Sequence, residues 1–468
     1  MIDALRLGGG WALVWLFGIA LLAVATRQDR YPRPADWTWL VGCGFFAGAF
    51  LLTAWMRVVS LAGLRFSVAS VGLPILIATL ALATFAWRRL RISDADVAPP
   101  PVPRSTRSAR VLLYGLGAWL VFRFALLLLD VIWTPLYPWD AWIQWATKAR
   151  VWYSLGHIVP FGRTDAWFAG NGAIWFDASP NYPATIPLWQ VWSSLALGRW
   201  DDALMNLPWW LTAVAFAFAT HGALRAGGVG AVGSMIGAWL VSSLPLANVH
   251  VALAGYADLP MAAYFSVAAL ATWRWSRERA PASAAVALLF AFACLTIKTP
   301  GVVWALTLVP GVVLTLMPRQ GPRVVAIGLL VALLALAVLA QTSPVVLGYR
   351  LHLDFAPAWQ ALVDSLFLLG SWHLLWYAVI AAAIVARSEA RSPALAPLSA
   401  TVGSGLLFLG VAFAFTNARN WVTDQTTINR ALLHLAPLAL TWAILIVHAW
   451  LQRRTPAPAS DGSVPAAA

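Results

Sequence analysis

Apolar residues run in long blocks along the chain, separated by short stretches rich in Arg, Pro, Gly and Asp. A helix that crosses a bilayer needs about 20 predominantly apolar residues. The blocks predict thirteen spans, at about 9 to 26, 38 to 57, 68 to 87, 111 to 131, 204 to 222, 230 to 249, 259 to 275, 283 to 298, 301 to 317, 324 to 341, 372 to 387, 395 to 416 and 431 to 451. The fold expected is all-α: a polytopic transmembrane helix bundle with one large outer loop carrying interfacial helices. That loop, residues 132 to 203, is rich in Trp, Pro, Gly and Asn rather than in charge, and an ordered loop of such length is usually functional. Within it "YPATIPLWQVWSSLALG" (182 to 198) is apolar, short and interrupted by proline. It reads as a helix lying in or dipping into the membrane interface.

Four parts follow along the chain: a three-span N-terminal module (1–91), the Pro-rich cytoplasmic linker "ISDADVAPPPVPRSTRSAR" (92–110), a transmembrane core (111–451) and a Pro/Ala/Ser-rich cytoplasmic tail (452–468) expected to be disordered.

Composition strengthens this picture. The 468 residues are 61% apolar and only 10% charged, with a mean hydropathy of +0.75, far outside the range of soluble domains. A net charge of +13 raises nucleic acid as a partner, but the arginines sit in short clusters between apolar blocks, as cytoplasmic loops do. No nucleic-acid function is expected. With residues 88 to 110 cytoplasmic, nineteen of the 31 basic residues fall on that side and eleven on the other, while Arg123 lies inside a span, two turns from Asp130, its expected partner. The same bias argues against cleavage after Ala23-Val24-Ala25, which would expose the arginines of 88 to 110. The two cysteines, Cys43 and Cys294, lie in apolar blocks and offer no metal spacing.

Candidate chemistry gathers at the outer ends of spans. Only two acidic residues are glutamates, Glu278 and Glu389, and both lie in cytoplasmic loops, so outer-face chemistry rests on aspartate. Asp140 in "YPWDAW" and Asp258 in "AGYADLPM" stand within a few residues of span ends. Partial desolvation there raises basicity and suits a general base; the competing reading of Asp258 is a helix cap before Leu-Pro. Lys148 and Lys298 are the only lysines among 31 basic residues. Lys148 follows Asp140 by about two helical turns and is expected to share its face. Lys298, in "CLTIKTPG", can pair with phosphate or simply snorkel. Arg430 and His434, spaced i, i+4, form a candidate phosphate clamp. Most of the 29 tryptophans read as interfacial belt anchors, though Trp142 and its neighbours Trp139, Trp145 and Trp152 also suit stacking on a sugar ring. Nucleotide-binding P-loop, GxSxG and HExxH patterns are absent.

From residue 111 onward these features resemble the GT-C superfamily of polytopic glycosyltransferases that use polyprenyl-phosphate-linked sugars, including protein O-mannosyltransferases and aminoarabinose transferases. The resemblance rests on "WDAWIQWATKA", "NYPATIPLWQ", "GYADLP", "IKTPGVVW" and "TTINRALLHLAPLA", in that order. It implies a transferase that moves a sugar from a polyprenyl-phosphate donor to a lipid, glycan or protein acceptor at the periplasmic face of a bacterial inner membrane. Asp140 would then activate the acceptor and Asp258 support the sugar or acceptor, while Lys298, Arg430 and His434 hold the donor phosphate. Two departures accompany it. Many relatives carry an acidic pair where this chain has Asp140-Ala141, which leaves use of a divalent metal open and unsupported; and the three leading spans have no counterpart in simpler members. The alternative class is a lipid-linked-sugar transporter, flippase or polysaccharide polymerase, for which ionisable residues belong at mid-span.

Overall fold

Blocks of Leu, Ala, Val and Trp satisfy their backbone groups internally only as helices, and the computed structural model is helical almost throughout. It describes residues 2–26, 34–93, 106–170, 175–346, 348–352 and 354–454. Helices α1 (Ile2–Thr26), α2 (Pro34–Leu61), α3 (Leu73–Ser93) and α4 (Arg107–Trp133) are followed by the short α5 (Ala146–Leu155), α6 (Thr164–Phe168) and α7 (Thr185–Leu197). Then come α8 (Leu207–Ala226), α9 (Ala231–Ser242), α10 (Pro245–Ala252), α11 (Asp258–Glu278), α12 (Pro281–Leu295), α13 (Gly301–Leu306), α14 (Val309–Leu316) and α15 (Gly321–Ala340). The chain closes with α16 (Trp359–Val363), α17 (Leu375–Val385), α18 (Arg387–Ala390), α19 (Ala396–Phe415) and α20 (Thr426–Arg454). The only strands among the described residues are two pairs of two-residue segments, Phe161–Gly162 with Trp175–Phe176 and Val345–Val346 with Tyr349–Arg350.

Among the described residues, eight helices are long and apolar enough to cross a membrane: α1, α2, α3, α4, α8, α15, α19 and α20. The chain is therefore a polytopic membrane protein by length and composition, and fewer helices pass that test than the thirteen spans expected from the sequence. The block at 230 to 249 breaks at Leu244, whose extended backbone precedes Pro245, so α9 and α10 meet at 61° and give at most a ninth span. The block at 301 to 317 divides into α13 and α14 before Pro310, and α12 and α17 have only 15 and 11 residues. Helix α11 is 21 residues long, yet it begins on Asp258 and ends in Arg274, Arg277 and Glu278, and it is not among the eight.

The 92–110 linker joins α3 to α4 along the chain. Its residues 94–105 lie outside the described residues, as does the tail after Arg454, but α1 to α3 on its far side join the same hydrophobic core as the rest. Small residues make this fit. A side chain at Gly18 or Gly48 would strike the backbone of the facing helix in the α1–α2 pair, and one at Gly42 or Gly222 would do so between α2 and α8. Such stripes let helices approach closely in a membrane setting.

Helix α7 is not the interfacial helix expected. Residues 185 to 194 are all buried, with Trp11 Nε1 of α1 donating to Ser193 Oγ at 3.0 Å and Trp189 Nε1 to the Ala49 carbonyl of α2 at 3.3 Å. A helix that is apolar on every side belongs inside protein rather than at a boundary. Part of the tryptophan set is also interior rather than interfacial: Trp11, Trp145, Trp189, Trp192, Trp209, Trp273, Trp304 and Trp372 are among the largest fully buried side chains. Several give their indole N–H to a carbonyl, as Trp209 does to Tyr256 and Trp273 to Ala394, which removes the cost of burying the donor. At the centre, α11 is buried along residues 258 to 273 and packs against α12 and α20. Its first residue, Asp258, therefore lies where several helices end together.

Candidate functional site

Four chain segments bring charge to that point. Asp140 opens the π-helical turn Ala141–Trp145 after α4, Asp258 starts α11, Lys298 lies in the turn between α12 and α13, and Arg430 and His434 sit one and two turns into α20. The approach of the 140 and 258 segments depends on Gly255, which has a φ of +116° and faces Ala141 so closely that a Cβ would collide with its side chain. Only glycine combines that backbone with that contact.

Asp258 is fully buried, and its two oxygens accept from three side chains. Oδ1 accepts from Lys298 Nζ at 2.6 Å and lies 3.0 Å from His434 Nε2; Oδ2 accepts from Arg430 Nε at 2.9 Å and lies 2.8 Å from Nη2. A lone buried carboxylate costs several kcal/mol, so this density of partners is what permits it to exist there. The helix-cap reading fails, because no side-chain capping bond is made at the start of α11. Arg430 Nη2 also donates to Asp140 Oδ2 at 2.5 Å, so one guanidinium bridges the two aspartates. Its planar fork suits two carboxylates in a way an ammonium cannot. The guanidinium carbon stands 4.6 Å from the Tyr256 ring, within cation–π range, and Trp209 fixes Tyr256 through its carbonyl at 2.7 Å.

The cluster is sealed on one side and open on the other. His434 and Asp258 are enclosed, with Trp304 edge-on to the imidazole at 5.6 Å, whereas the side chains of Arg430 and Asp140 are 24% and 23% exposed. Asp140, Asp258, Lys298 and Arg430 balance in charge, so protonation of His434 would leave the group net positive. His434 Nδ1 is buried without a hydrogen-bond partner among the described residues.

Five residues expected to act together are thus brought together: Asp140, Asp258, Lys298, Arg430 and His434. Two are not. Lys148 does not share a face with Asp140. It is buried on α5, 3.5 Å from Asp177 and donating to the Ser179 carbonyl at 2.7 Å. Burial pushes the Lys148 ammonium below the usual lysine range and the Asp177 carboxyl above its own, while their mutual attraction opposes both shifts. Trp142 is 44% exposed and stacks edge-on against Trp139 at 4.9 Å, and among the described residues its side chain makes no hydrogen bond or ring contact with the cluster. Nor does Arg123 pair with Asp130: its Nε donates to Asn248 Oδ1 at 3.2 Å, beside the break between α9 and α10.

Three tyrosines around Arg430 escaped the sequence reading. Tyr182 stacks on Trp145 at 5.1 Å, and burial pushes its hydroxyl up to about 12, with Tyr349, Asp258 and Asp140 adding to the rise. Burial also raises Tyr256 and Tyr349, against the pull of Arg430. Tyr256 stands two residues before Asp258 and Tyr182 inside the quoted "NYPATIPLWQ", so adjacency was an available signal for both. Tyr349, on a distant strand, had none. Among the described residues no group of three His, Cys, Asp or Glu side chains is placed to hold a metal. No protein-family model, curated protein or solved structure matches the chain.

Proposed function

We propose that the chain is an integral membrane glycosyltransferase that moves a sugar from a polyprenyl-phosphate donor to an acceptor at the periplasmic face of a bacterial inner membrane. The observation that carries the proposal is the bridge of Arg430 between Asp140 and Asp258, with Lys298 and His434 on the same buried carboxylate. Transfer from such a donor needs cations that stabilise phosphate as it leaves and a base near the acceptor hydroxyl or amine. Asp258 holds Lys298 and Arg430 in place, and it is therefore a positioning residue. Asp140 is the base. A donor phosphate arriving at Arg430 from the open side competes with Asp140 for the guanidinium and frees that carboxylate to accept the acceptor's proton. As the glycosidic bond to phosphate breaks, the departing negative charge meets Arg430 and Lys298. GT-C-like glycosyl transfer fits this arrangement, and the sugar and acceptor are set by surfaces around Trp139 and Trp142.

The test is Asp140→Asn in proteoliposomes supplied with polyprenyl-phosphate sugars. Transfer is expected to fall by about 10²- to 10⁴-fold, the usual contribution of a general base, with folding intact. Full activity would remove Asp140 from the mechanism. A second reading, a transporter for lipid-linked sugar, draws on the α9–α10 break and the mid-helix Arg123–Asn248 pair, since broken helices mark transport sites. It predicts movement of the lipid-linked sugar across the vesicle without any change in covalent linkage.

A further inference from the structure

One cation near the cluster remains without a carboxylate. Arg57 lies on the last turns of α2, half-buried, and among the described residues it forms no ion pair. Its Nη1 donates to Thr53 Oγ1 at 3.1 Å and its Nη2 to Thr185 Oγ1 at 2.9 Å. Thr185 is the first residue of α7 and passes its own proton to Thr296 Oγ1 at 3.0 Å, two residues before Lys298. Arg57 is therefore joined to the Lys298 turn by two hydrogen bonds, both through neutral hydroxyls. Hydroxyl oxygens satisfy the donor geometry of a guanidinium but leave its charge unmatched. The nearby aspartates are already committed, Asp258 to Lys298, Arg430 and His434, and Asp140 to Arg430.

The surroundings add further positive potential. Thr185 heads a 13-residue helix whose first N–H groups lack intrahelical partners, and a helix start carries roughly half a positive charge. Neutral partners, a helix start and a hydrogen-bonded link to the turn that carries Lys298 together make a site that an anion completes. The residue also comes from the three N-terminal helices, which packing ties to the core through α8 and α7.

We propose that Arg57 is a second anion-binding group, taking a phosphoryl oxygen of the lipid-linked donor while Lys298 and Arg430 take the others. The inference rests on the functional reading above. It gives α2 a part in donor binding, and it places the donor's phosphoryl group across the seam between α2, α7 and the α12–α13 turn. A monophosphate reaches Arg57 with one oxygen; a diphosphate engages it with its second phosphoryl group.

The test uses the full-length protein in nanodiscs, with farnesyl phosphate and farnesyl diphosphate as short isoprenoid probes, and compares wild type with Arg57→Gln and Arg57→Lys. A hydrogen bond to a charged group is worth about 1.5 kcal/mol or more. Arg57→Gln is therefore expected to weaken the tighter-bound probe by about tenfold or more, Arg57→Lys by less, with the same thermal midpoint as wild type. The probe that binds tighter to wild type distinguishes a monophosphate from a diphosphate carrier. Equal binding of both probes by wild type and Arg57→Gln overturns the role of Arg57 and leaves the glycosyltransferase reading standing. Failure of folded wild type to bind either probe overturns both. A lowered midpoint in Arg57→Gln with unchanged affinity for the folded fraction assigns Arg57 to helix packing alone and overturns the proposal.

Discussion

The chain contains two buried lysine–aspartate pairs, and they differ in everything except residue type. Lys148 and Asp177 are both almost wholly enclosed, with side chains 1% and 0% exposed. Their other bonds go to the backbone of Ser179, so the pair pins the 175–182 segment to α5. Lys298 and Asp258 also meet in a buried place, but Asp258 is shared with His434 and Arg430, and Arg430 reaches on to the partly exposed Asp140. The first pair is a closed circuit. The second is one end of a chain of charges that opens to the surroundings, where a ligand can exchange for one member. A buried ion pair is therefore no evidence of a site until its partners and its exposed edge are known.

That contrast can be tested, beginning with the largest effect. Replacing Asp258 with Asn strands Lys298 and Arg430 without their shared counter-charge; breaking a buried pair in this way costs about 3 to 5 kcal/mol. A marked drop in the thermal midpoint in detergent is expected, together with loss of transfer. An Asp258→Asn protein as stable as wild type would show that the carboxylate does not organise the cluster.

The closed pair predicts a comparable loss of stability without the loss of transfer. Lys148→Met leaves Asp177 without its cation and should cost about 3 to 5 kcal/mol, while the double substitution Lys148→Met/Asp177→Leu recovers most of it, because an apolar pair of similar volume often replaces a buried ion pair without loss. Transfer per folded molecule should stay within about twofold of wild type in both, taking distant sites as independent. A selective loss of transfer in the stable double variant would return Lys148 to the site. The smallest effect belongs to Trp142→Ala: its stability should change by less than about 0.5 kcal/mol, and KM for the sugar donor should rise by about three- to tenfold, the worth of one aromatic contact. An unchanged KM with every sugar tried would make Trp142 a surface residue only.

The all-α class, the apolar helices and the five charged residues that meet were legible in the sequence, because each depends on local pattern: apolar runs, span ends, and an i, i+4 pair in "NRALLH". The number of spans was not. A run of apolar residues continues in sequence through Leu244-Pro245 and through Thr307-Leu308, but the backbone bends or breaks there, leaving pieces of 12 and 8 residues at the first and of 6 and 8 at the second. The burial of α7 was present as apolar residues on all faces, a signal outweighed by its shortness and its prolines. Lys148 was misplaced because helical spacing relates side chains on one helix and is silent about which face packs inward.

By itself, the sequence determined which residues would be helical, that the helices would bury apolar surface, and which few charges an apolar chain would keep near helix ends. These follow from hydrophobicity and backbone hydrogen bonding, which act over neighbouring residues. Only the tertiary structure decided which charges meet. Asp140, Asp258, Lys298 and Arg430 lie as far as 290 residues apart along the chain and join because α11 is central, Gly255 admits Ala141, and α20 aligns its first turns with the start of α11. It also decided that Lys148 would be sealed against Asp177 while Arg57 stayed without a counter-charge, since pairing of charges depends on distance and solvent exposure, which residue order does not contain.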